Sequence, residues 1–236
     1  MRIRVGTSGF SYAEWKGTFY PEKHPPKKML SYYAERFSAV EINATFYRMP
    51  KETMLLGWLA EVPEDFTFVL KAPVHIRYQE PVAGTYDATE PFCEIAKCLG
   101  ARLGPLLFQL PPHFKKDIPR LDAYLARLPR IAPVVIEFTD ASWFCDEAYA
   151  LLQRRGAAMC IVDDVSEKRA APLVRTAPHG YLRLRKVDYS DADVAGWAAK
   201  IRGAGWDMAH VFFKHEDAGT GPALARRLLD SLGQKR

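Results

Sequence analysis

Polar residues stand near the carboxyl end of eight apolar segments, at the point where a buried strand would end. In AVEINATF, Glu41 and Asn43 occupy alternate positions, so a strand would point both to the same side. A carboxylate and an amide in an apolar layer are costly unless they are paired. The inward-facing set predicted in this way is Thr7 or Ser8, Glu41, Asn43, Lys71, Gln109, Glu137, Asp163, Arg183, Arg185 and Lys214.

The charges in this set favour acid–base chemistry on an anionic ligand. Three carboxylates would face four cations, namely Glu41, Glu137 and Asp163 against Lys71, Arg183, Arg185 and Lys214. Crowded charges move pKa values apart, which can supply an acid and a base at neutral pH. We expect Glu137 and Asp163 to transfer protons, and the surplus of cations to bind a phosphate or carboxylate. The predicted catalytic residues are Glu41, Lys71, Glu137 and Asp163.

Strand-length apolar segments alternate with helical segments along the whole chain. Strands are predicted at 2–9, 39–46, 67–73, 104–111, 133–140, 157–164, 180–185 and 209–215. Helices are predicted at 25–37, 51–62, 91–100, 118–128, 146–156, 191–203 and 221–232, with a short or distorted helix at 165–174. Eight units about 30 residues apart predict an α/β fold, a single (β/α)8 TIM barrel over residues 1–236. A doubly wound open sheet is the alternative, but no Gly-x-Gly-x-x-Gly turn follows the first strand.

A barrel would place the polar residues together, because the carboxyl ends of its strands meet at one mouth where active sites of this fold lie. The alternative is an ion-pair network that only stabilises the barrel, although buried networks stabilise less than apolar packing. The three carboxylates could hold magnesium or manganese. Because no strand end supplies a clear inward histidine and the cations would repel a metal, we expect no metal and no cofactor.

Aromatic residues follow the first, second and fifth predicted strands. They include Tyr12 and Trp15 in GFSYAEWKGTFYP, Tyr47 in TFYRMP and Trp143 in DASWF. Some would pack the loops onto the barrel, and others could stack on a planar ligand. The predicted substrate-binding residues are therefore Asn43, Gln109, Arg183, Arg185, Lys214, Tyr12, Trp15, Tyr47 and Trp143.

Composition excludes some classes of protein and favours others. The net charge of +5, from 33 basic and 28 acidic residues, is too small to predict nucleic-acid binding alone. None of the four cysteines belongs to a C-x-x-C pair, so we expect reduced thiols in a cytoplasmic protein. No segment has the run of about 18 apolar residues that a membrane helix needs, and the N-terminus leads directly into a strand. We therefore expect neither a membrane partner nor a signal peptide.

Several segments together resemble one protein family. GTSGFSYAEWKGTFYP, FSAVEINATFYRMP, FTFVLKAP, LGPLLFQLPPHF and IEFTDASWF are similar to the YecE-like family, known as domain of unknown function 72. The likeness spans almost the whole chain and implies a TIM barrel, but no established activity. It places nine residues on the family's strand-end pattern: Glu41, Asn43, Tyr47, Lys71, Gln109, Glu137, Trp143, Asp163 and Arg183.

Three departures from the family pattern fall at the predicted mouth. This chain has Thr-Asp at 139–140, where members usually have Arg-His. It has Arg-Lys at 185–186, where members often have His-Gly, and Lys-His at 214–215, where many have two asparagines. These departures suggest a divergent branch with its own ligand, so the resemblance assigns no role to positions 139, 185 and 214.

Three functions are consistent with the sequence. The first is an enzyme that acts by general acid–base chemistry on an anionic small molecule. The second is a nucleic-acid-binding or phosphodiester-processing protein, favoured by the basic stretches at 23–28 and 113–116 and by fold-level analogy with the endonuclease IV superfamily. That class depends on a histidine-rich metal cluster, which the sequence lacks. The third is a ligand-binding protein without catalysis. The sequence determines neither the substrate nor the oligomeric state.

Overall fold

Eight parallel strands form the inner layer of the protein. In the computed structural model the described residues are 1–74, 76, 87–112, 114–164 and 171–236. The strands are β1 (Arg2–Thr7), β2 (Ala39–Ile42), β3 (Thr67–Lys71), β4 (Leu103–Gln109), β5 (Val134–Glu137), β6 (Ala158–Asp163), β7 (His179–Leu184) and β8 (Met208–Phe213). Each lies in or within one residue of a predicted strand.

The strands pair into a nearly closed barrel. Their order is β1-β8-β7-β6-β5-β4-β3-β2, with every neighbouring pair parallel. A bridge between Ser8 and Glu41 joins β1 to β2, and the Gly9 amide donates to the Glu41 carbonyl at 2.7 Å. A Cβ at Gly6 would lie 2.1 Å from the Ala39 carbonyl oxygen, so the close approach of β1 to β2 requires glycine. The predicted (β/α)8 barrel is confirmed.

Helices connect the strands and cover the barrel. They are α1 (Met29–Ala34), α2 (Ala44–Tyr47), α3 (Glu52–Glu61), α4 (Thr89–Ala96), α5 (Ile118–Arg127), α6 (Asp146–Arg155), α7 (Asp191–Gly203) and α8 (Thr220–Ser231). The predicted strand at 39–46 is shorter than expected, because the backbone turns helical at Asn43 and continues as α2. Residues 165–170 of the short helix predicted at 165–174 lie outside the described residues, and 171–174 form no helix.

Alternation along the strands determines which side chains face the barrel interior. Small and apolar residues fill that interior: Ala39, Val69, Leu107, Val135, Ala158, Cys160, Val162, Tyr181 and Phe212. Their neighbours in sequence pack outward against the helices. The residue two positions after an interior residue faces the same way, nearer the mouth. This geometry directs Glu41, Lys71, Gln109 and Glu137 inward.

The state of the cysteines and the lengths of the helices agree with the expectations of reduced thiols and of no membrane helix. All four cysteines are free thiols. Burial raises the pKa of the Cys93 thiol to about 11 and that of Cys160 well above its usual value, so both are structural rather than reactive groups. Within the described ranges, every helix is too short or too polar to cross a membrane.

Candidate functional site

A buried ion-pair triad lies in the mouth of the barrel, with Arg183 between Glu41 and Glu137. Arg183 Nη2 lies 2.8 Å from Glu41 Oε1, and its Nη1 lies 2.7 Å from Glu137 Oε2. No side chain of the three is more than 2% exposed. Burial alone would raise the pKa of both carboxyls, but the Arg183 charge holds each below its usual value. Both glutamates are therefore ionised at neutral pH.

Glu41 makes its remaining hydrogen bonds within the barrel. It accepts from Ser8 Oγ at 2.5 Å and from the Tyr181 hydroxyl at 2.5 Å, in addition to Arg183. Ser8 fills the inward position, while the Thr7 hydroxyl contacts Tyr33 of α1 at 3.0 Å. Every oxygen of Glu41 thus has a donor, which explains how a carboxylate is tolerated in this strand. The geometry makes Glu41 a residue that positions Arg183 rather than a free base.

Glu137 connects the triad to an open cavity. Its Oε1 accepts from Gln109 Nε2 at 2.7 Å and lies 3.4 Å from Arg185 Nη1. The cavity has a volume of about 540 Å³, and its wall includes Phe46, Gln109, Glu137, Thr139 and Arg185. Charged groups at one side and apolar walls around them suit a small polar molecule.

Two lysines near the triad carry positive charges that form no ion pair with its glutamates. Lys71 is 7% exposed, and its Nζ lies 3.8 Å from the centre of the Phe46 ring. Burial, reinforced by Arg183, lowers its pKa to about 8. Burial and Arg185 also lower the pKa of Lys214, which is half-buried after β8. Among the described residues, neither ammonium group has an ion-pair or hydrogen-bond partner.

Asp163 does not join this group, so its predicted pairing with Glu137 in the mouth is wrong. Cys160 and Val162 of β6 face the interior, and the alternation turns Asp163 toward α7. There its Oδ2 accepts from Trp197 Nε1 at 3.0 Å, and its Oδ1 lies 3.3 Å from Lys186 Nζ. The structure gives Asp163 the role of anchoring α7 and the loop after β7.

We expect Asp163→Asn to leave ligand binding in the mouth unchanged. Asparagine can still accept from Trp197 Nε1, and the lost pair with half-exposed Lys186 contributes about 1 kcal/mol or less. Urea unfolding should therefore give a small decrease in the free energy of unfolding. Anion-dependent stabilisation equal to that of the wild type would accompany it. Loss of anion binding in this variant would contradict the placement of Asp163 outside the mouth.

Two of the four aromatic residues that were predicted to contact a ligand are packing residues. Trp15 and Trp143 are completely buried, so the expectation that they contact a ligand is wrong. Trp143 stacks on Phe138, with ring centres 4.8 Å apart, and its Nε1 donates to the Phe114 carbonyl at 2.8 Å. The loops that carry these rings fold back onto the outside of the barrel, because that buries a large apolar area.

The other two aromatic residues lie at the rim. Tyr47 is 75% exposed. The Tyr12 hydroxyl donates to the Ser8 carbonyl at 2.8 Å and lies beside Asn43. Tyr12 and Asn43 therefore lie between the triad and the solvent. Burial raises the pKa of Tyr12 to about 12, so it remains a neutral donor. Tyr12, Asn43 and Tyr47 stay predicted ligand contacts.

The sequence-based prediction did not include Tyr181, and it placed Phe46 among the loop aromatic residues without predicting its contact with Lys71. Tyr181 lies two residues before Arg183 on β7, so strand alternation pointed to it, but a tyrosine within an apolar strand resembles ordinary core. Phe46 stands in TFYRMP at the end of the second predicted strand, and its contact with Lys71 arises because α2 packs against the end of β3. Both residues touch the predicted charged set.

Each of the three departures from the family pattern contributes a residue in or near the mouth. Thr139 and Arg185 line the cavity, and Lys214 adds a charge near Arg185. Asp140 instead caps the turn at Ala141–Trp143 by accepting from the Ser142 amide at 2.9 Å. Across the part of the chain that the structure describes, no three His, Cys, Asp or Glu side chains come together as metal ligands would.

Comparison with known proteins identifies the family. The family model described as Protein of unknown function DUF72 matches residues 4–236. UPF0759 protein YecE of Escherichia coli is 30% identical over 149 residues, which cover 61% of this chain and 55% of that protein, little more than half its length. UPF0759 protein YunF of Bacillus subtilis is 23% identical over 228 residues, which cover 90% of this chain and 78% of that protein.

Solved structures agree on the fold. A DUF72 family protein from Thermotoga maritima superposes with a TM-score of 0.84 at 24% identity, over 99% of this chain and 100% of that one. A second, from Enterococcus faecalis, gives 0.75 at 19% identity, over 99% and 96% of the two chains. The predicted resemblance to the YecE-like family is confirmed. The chain belongs to the DUF72 family of proteins of unknown function.

Proposed function

We propose that this protein is an enzyme that binds an anionic small molecule in the barrel mouth and acts on it by general acid–base chemistry. The observation that carries the proposal is the surplus of positive charge. In the described part of the mouth, two inward carboxylates face four inward cations: Glu41 and Glu137, against Lys71, Arg183, Arg185 and Lys214. Arg183 is paired with both glutamates, whereas Arg185 has one longer contact of 3.4 Å, so Arg185 and the two lysines are left for a ligand. A carboxylate or phosphate would balance them.

Lys71 is the residue best suited to transfer a proton. Arg183 holds both Glu41 and Glu137 ionised, so neither is ready to donate a proton. A group transfers protons most effectively when its pKa lies near the working pH. The pKa of about 8 at Lys71 meets that condition, because ammonium and amine are then both populated near neutral pH. In this mechanism Glu137 supplies a fixed negative charge beside the cavity.

A nucleic-acid ligand is the second candidate. The mouth cavity of about 540 Å³ accommodates a small molecule rather than an extended phosphate backbone. Of the basic stretch at 113–116, Lys116 pairs with Glu147 at 2.6 Å, and position 113 lies outside the described residues. These features support the small anion. A ligand-binding protein without catalysis would share the anion site and differ only in lacking turnover.

Anion-dependent stabilisation tests the proposed site. Inorganic phosphate or a small carboxylate should raise the melting temperature of the wild type, since a ligand at 100 times its Kd adds about 2.7 kcal/mol to the free energy of unfolding. We expect Lys71→Met and Lys214→Met each to lose most of this gain. Lys97→Met is the matched control, because Lys97 pairs with Glu94 at the far end of α4.

The competing functions give different results in the same assay. An oligonucleotide that stabilises the protein more than phosphate does, and still binds at moderate salt, would favour the nucleic-acid alternative. Phosphate stabilisation that persists unchanged in both lysine variants would contradict the proposed site.

A further inference from the structure

We propose that Lys71 is a nucleophile that forms an imine with the carbonyl group of an anionic ligand, such as a 2-oxo acid. This inference rests on the proposed function, because it uses the same mouth and the same surplus of cations. It adds a covalent step and restricts the ligand to compounds that carry both a carbonyl group and a negative charge.

The position of Lys71 suits this role. It is the last residue of β3, and its side chain enters the mouth beside the triad. Its Nζ lies against the Phe46 ring, which also lines the cavity. A lysine is almost never fully buried unless it is paired. Here Arg183 occupies the nearby glutamates, and no described residue accepts a hydrogen bond from Lys71 Nζ. Within the described ranges its nitrogen is therefore available to a ligand.

Electrostatics favour the reactive amine form. Burial and Arg183 lower the pKa of Lys71 to about 8, while the Phe46 ring opposes them by favouring the ammonium ion. With a pKa of about 8, roughly a tenth of the groups are amines at pH 7. That is about two orders of magnitude more than for an ordinary lysine. Desolvated lysines with lowered pKa values form Schiff bases for this reason.

The step balances without another reactant. The Lys71 amine lone pair attacks the carbonyl carbon, and the electrons of the C=O π bond move to oxygen. Proton transfer from nitrogen to oxygen gives a neutral carbinolamine. The proton that the Lys71 ammonium ion gave up to water before the attack returns to this hydroxyl, and that oxygen leaves as water while the nitrogen lone pair forms the C=N bond. The ammonium ion and the ketone thus become an iminium ion and water, with the positive charge conserved and no oxidation.

The surrounding charges suit both ends of such a ligand. Glu41 and Glu137 both attract positive charge at Lys71 Nζ, so they would also stabilise the iminium ion. Arg185 lines the cavity, and Lys214 carries the charge that remains unpaired among the described residues. These two cations would bind the ligand's carboxylate.

Reductive trapping tests the proposal. The protein is incubated with pyruvate and sodium borohydride, and peptide mass mapping then locates the reduced adduct. We expect the adduct at Lys71, and none at that position in Lys71→Arg, which keeps the charge but lacks a neutral amine. Hydroxyacetone is the matched probe, because a hydroxymethyl group replaces the carboxylate. The yield of Lys71 adduct with hydroxyacetone should be lower than with pyruvate by a factor of about ten or more. A factor of ten corresponds to the loss of one ionic contact of about 1.4 kcal/mol.

The outcomes separate this inference from the proposed function. Labelling spread over surface lysines without enrichment at Lys71 would overturn the imine, and the anion site would stand if phosphate still stabilises the protein. Equal labelling by hydroxyacetone would overturn the anionic specificity. Failure of both trapping and phosphate stabilisation would remove both proposals. If Lys71→Arg does not fold, the wild type still gives a decision, because phosphate should suppress labelling at Lys71 and not at Lys97.

Discussion

Replacing Arg183 with methionine is expected to lower the free energy of unfolding by about 3–5 kcal/mol at neutral pH. Methionine fills much of the same space, but it leaves the buried carboxylates of Glu41 and Glu137 without their shared cation. Removing one partner of a buried ion pair costs this much, because the remaining charges stay desolvated. Urea unfolding followed by circular dichroism measures the loss.

The pH dependence of this loss identifies its cause. In the wild type both glutamates have lowered pKa values, so their contribution is present above the usual carboxyl pKa and is lost as the pH falls through the folded-state value. Without Arg183, burial should raise these pKa values, and the carboxyls would become neutral more easily. The difference between variant and wild type should therefore shrink as the solution is acidified.

Arg185→Met is the matched control for the triad. Arg185 is 18% exposed in its side chain and makes a single long contact of 3.4 Å with Glu137, so its loss should cost less than the loss of Arg183, which makes two shorter ion pairs. A deficit for Arg183→Met as small as that of the control would contradict the structural role of the triad. So would a deficit that does not change with pH.

Replacing Lys71 with methionine is expected to have the opposite sign and to stabilise the protein by about 2 kcal/mol at neutral pH in a buffer without phosphate or sulfate. The pKa of Lys71 falls from its ordinary value of 10.5 to about 8, which means that folding disfavours the ammonium form. The full shift corresponds to about 3 kcal/mol, and the lost contact with Phe46 offsets part of it.

The gain should depend on pH in a defined window. Between pH 8 and 10.5 the unfolded chain binds more protons at Lys71 than the folded one, so this lysine's penalty is complete below pH 8 and fades as the pH rises. The advantage of Lys71→Met should therefore fall toward zero above pH 10. Lys97→Met removes an exposed lysine and is the control for the loss of one surface charge. If Lys71→Met is less stable than the wild type in anion-free buffer, the conclusion that Lys71 is desolvated and has no carboxylate partner among the described residues is contradicted.

Together these two results would distinguish the residues of the mouth that stabilise the fold from those that serve the function. A large loss at Arg183 assigns the triad to stability, in agreement with the alternative of an ion-pair network that stabilises the barrel. A gain at Lys71 assigns the lysine to function, because residues kept for function often lower stability. The site then combines a triad that stabilises the barrel with a lysine, Lys71, that serves the ligand.

Alternation and spacing were sufficient to predict the barrel and most of its charged mouth. Continuous apolar strands of regular spacing favour a parallel sheet covered on both faces, and eight of them close into a barrel. Glu41, Lys71, Gln109, Glu137 and Arg183 were all predicted to face inward, and all do. In an otherwise apolar strand, the position of each of these polar residues indicates which face points inward.

The same reasoning failed at β6 for a physical reason. Its sequence AMCIVD is apolar on both faces, so nothing local distinguishes inward from outward residues. A change of one residue in the assumed alternation moves every side chain to the other face. Only the packing of Cys160 and Val162 inside the barrel, and of Trp197 against Asp163, decided that this carboxylate serves α7.

The sequence by itself determined the family, the fold and the kinds of charge that line the mouth, because these depend on short-range alternation and on the order of segments. Tertiary structure alone decided which charges neutralise one another. Arg183 contacts Glu41 across 142 positions of the chain and Glu137 across 46, and these contacts leave Lys71 without a carboxylate partner in the described protein. Pairing depends on distances of a few ångströms between strands far apart in sequence, and those distances exist only once the barrel has closed.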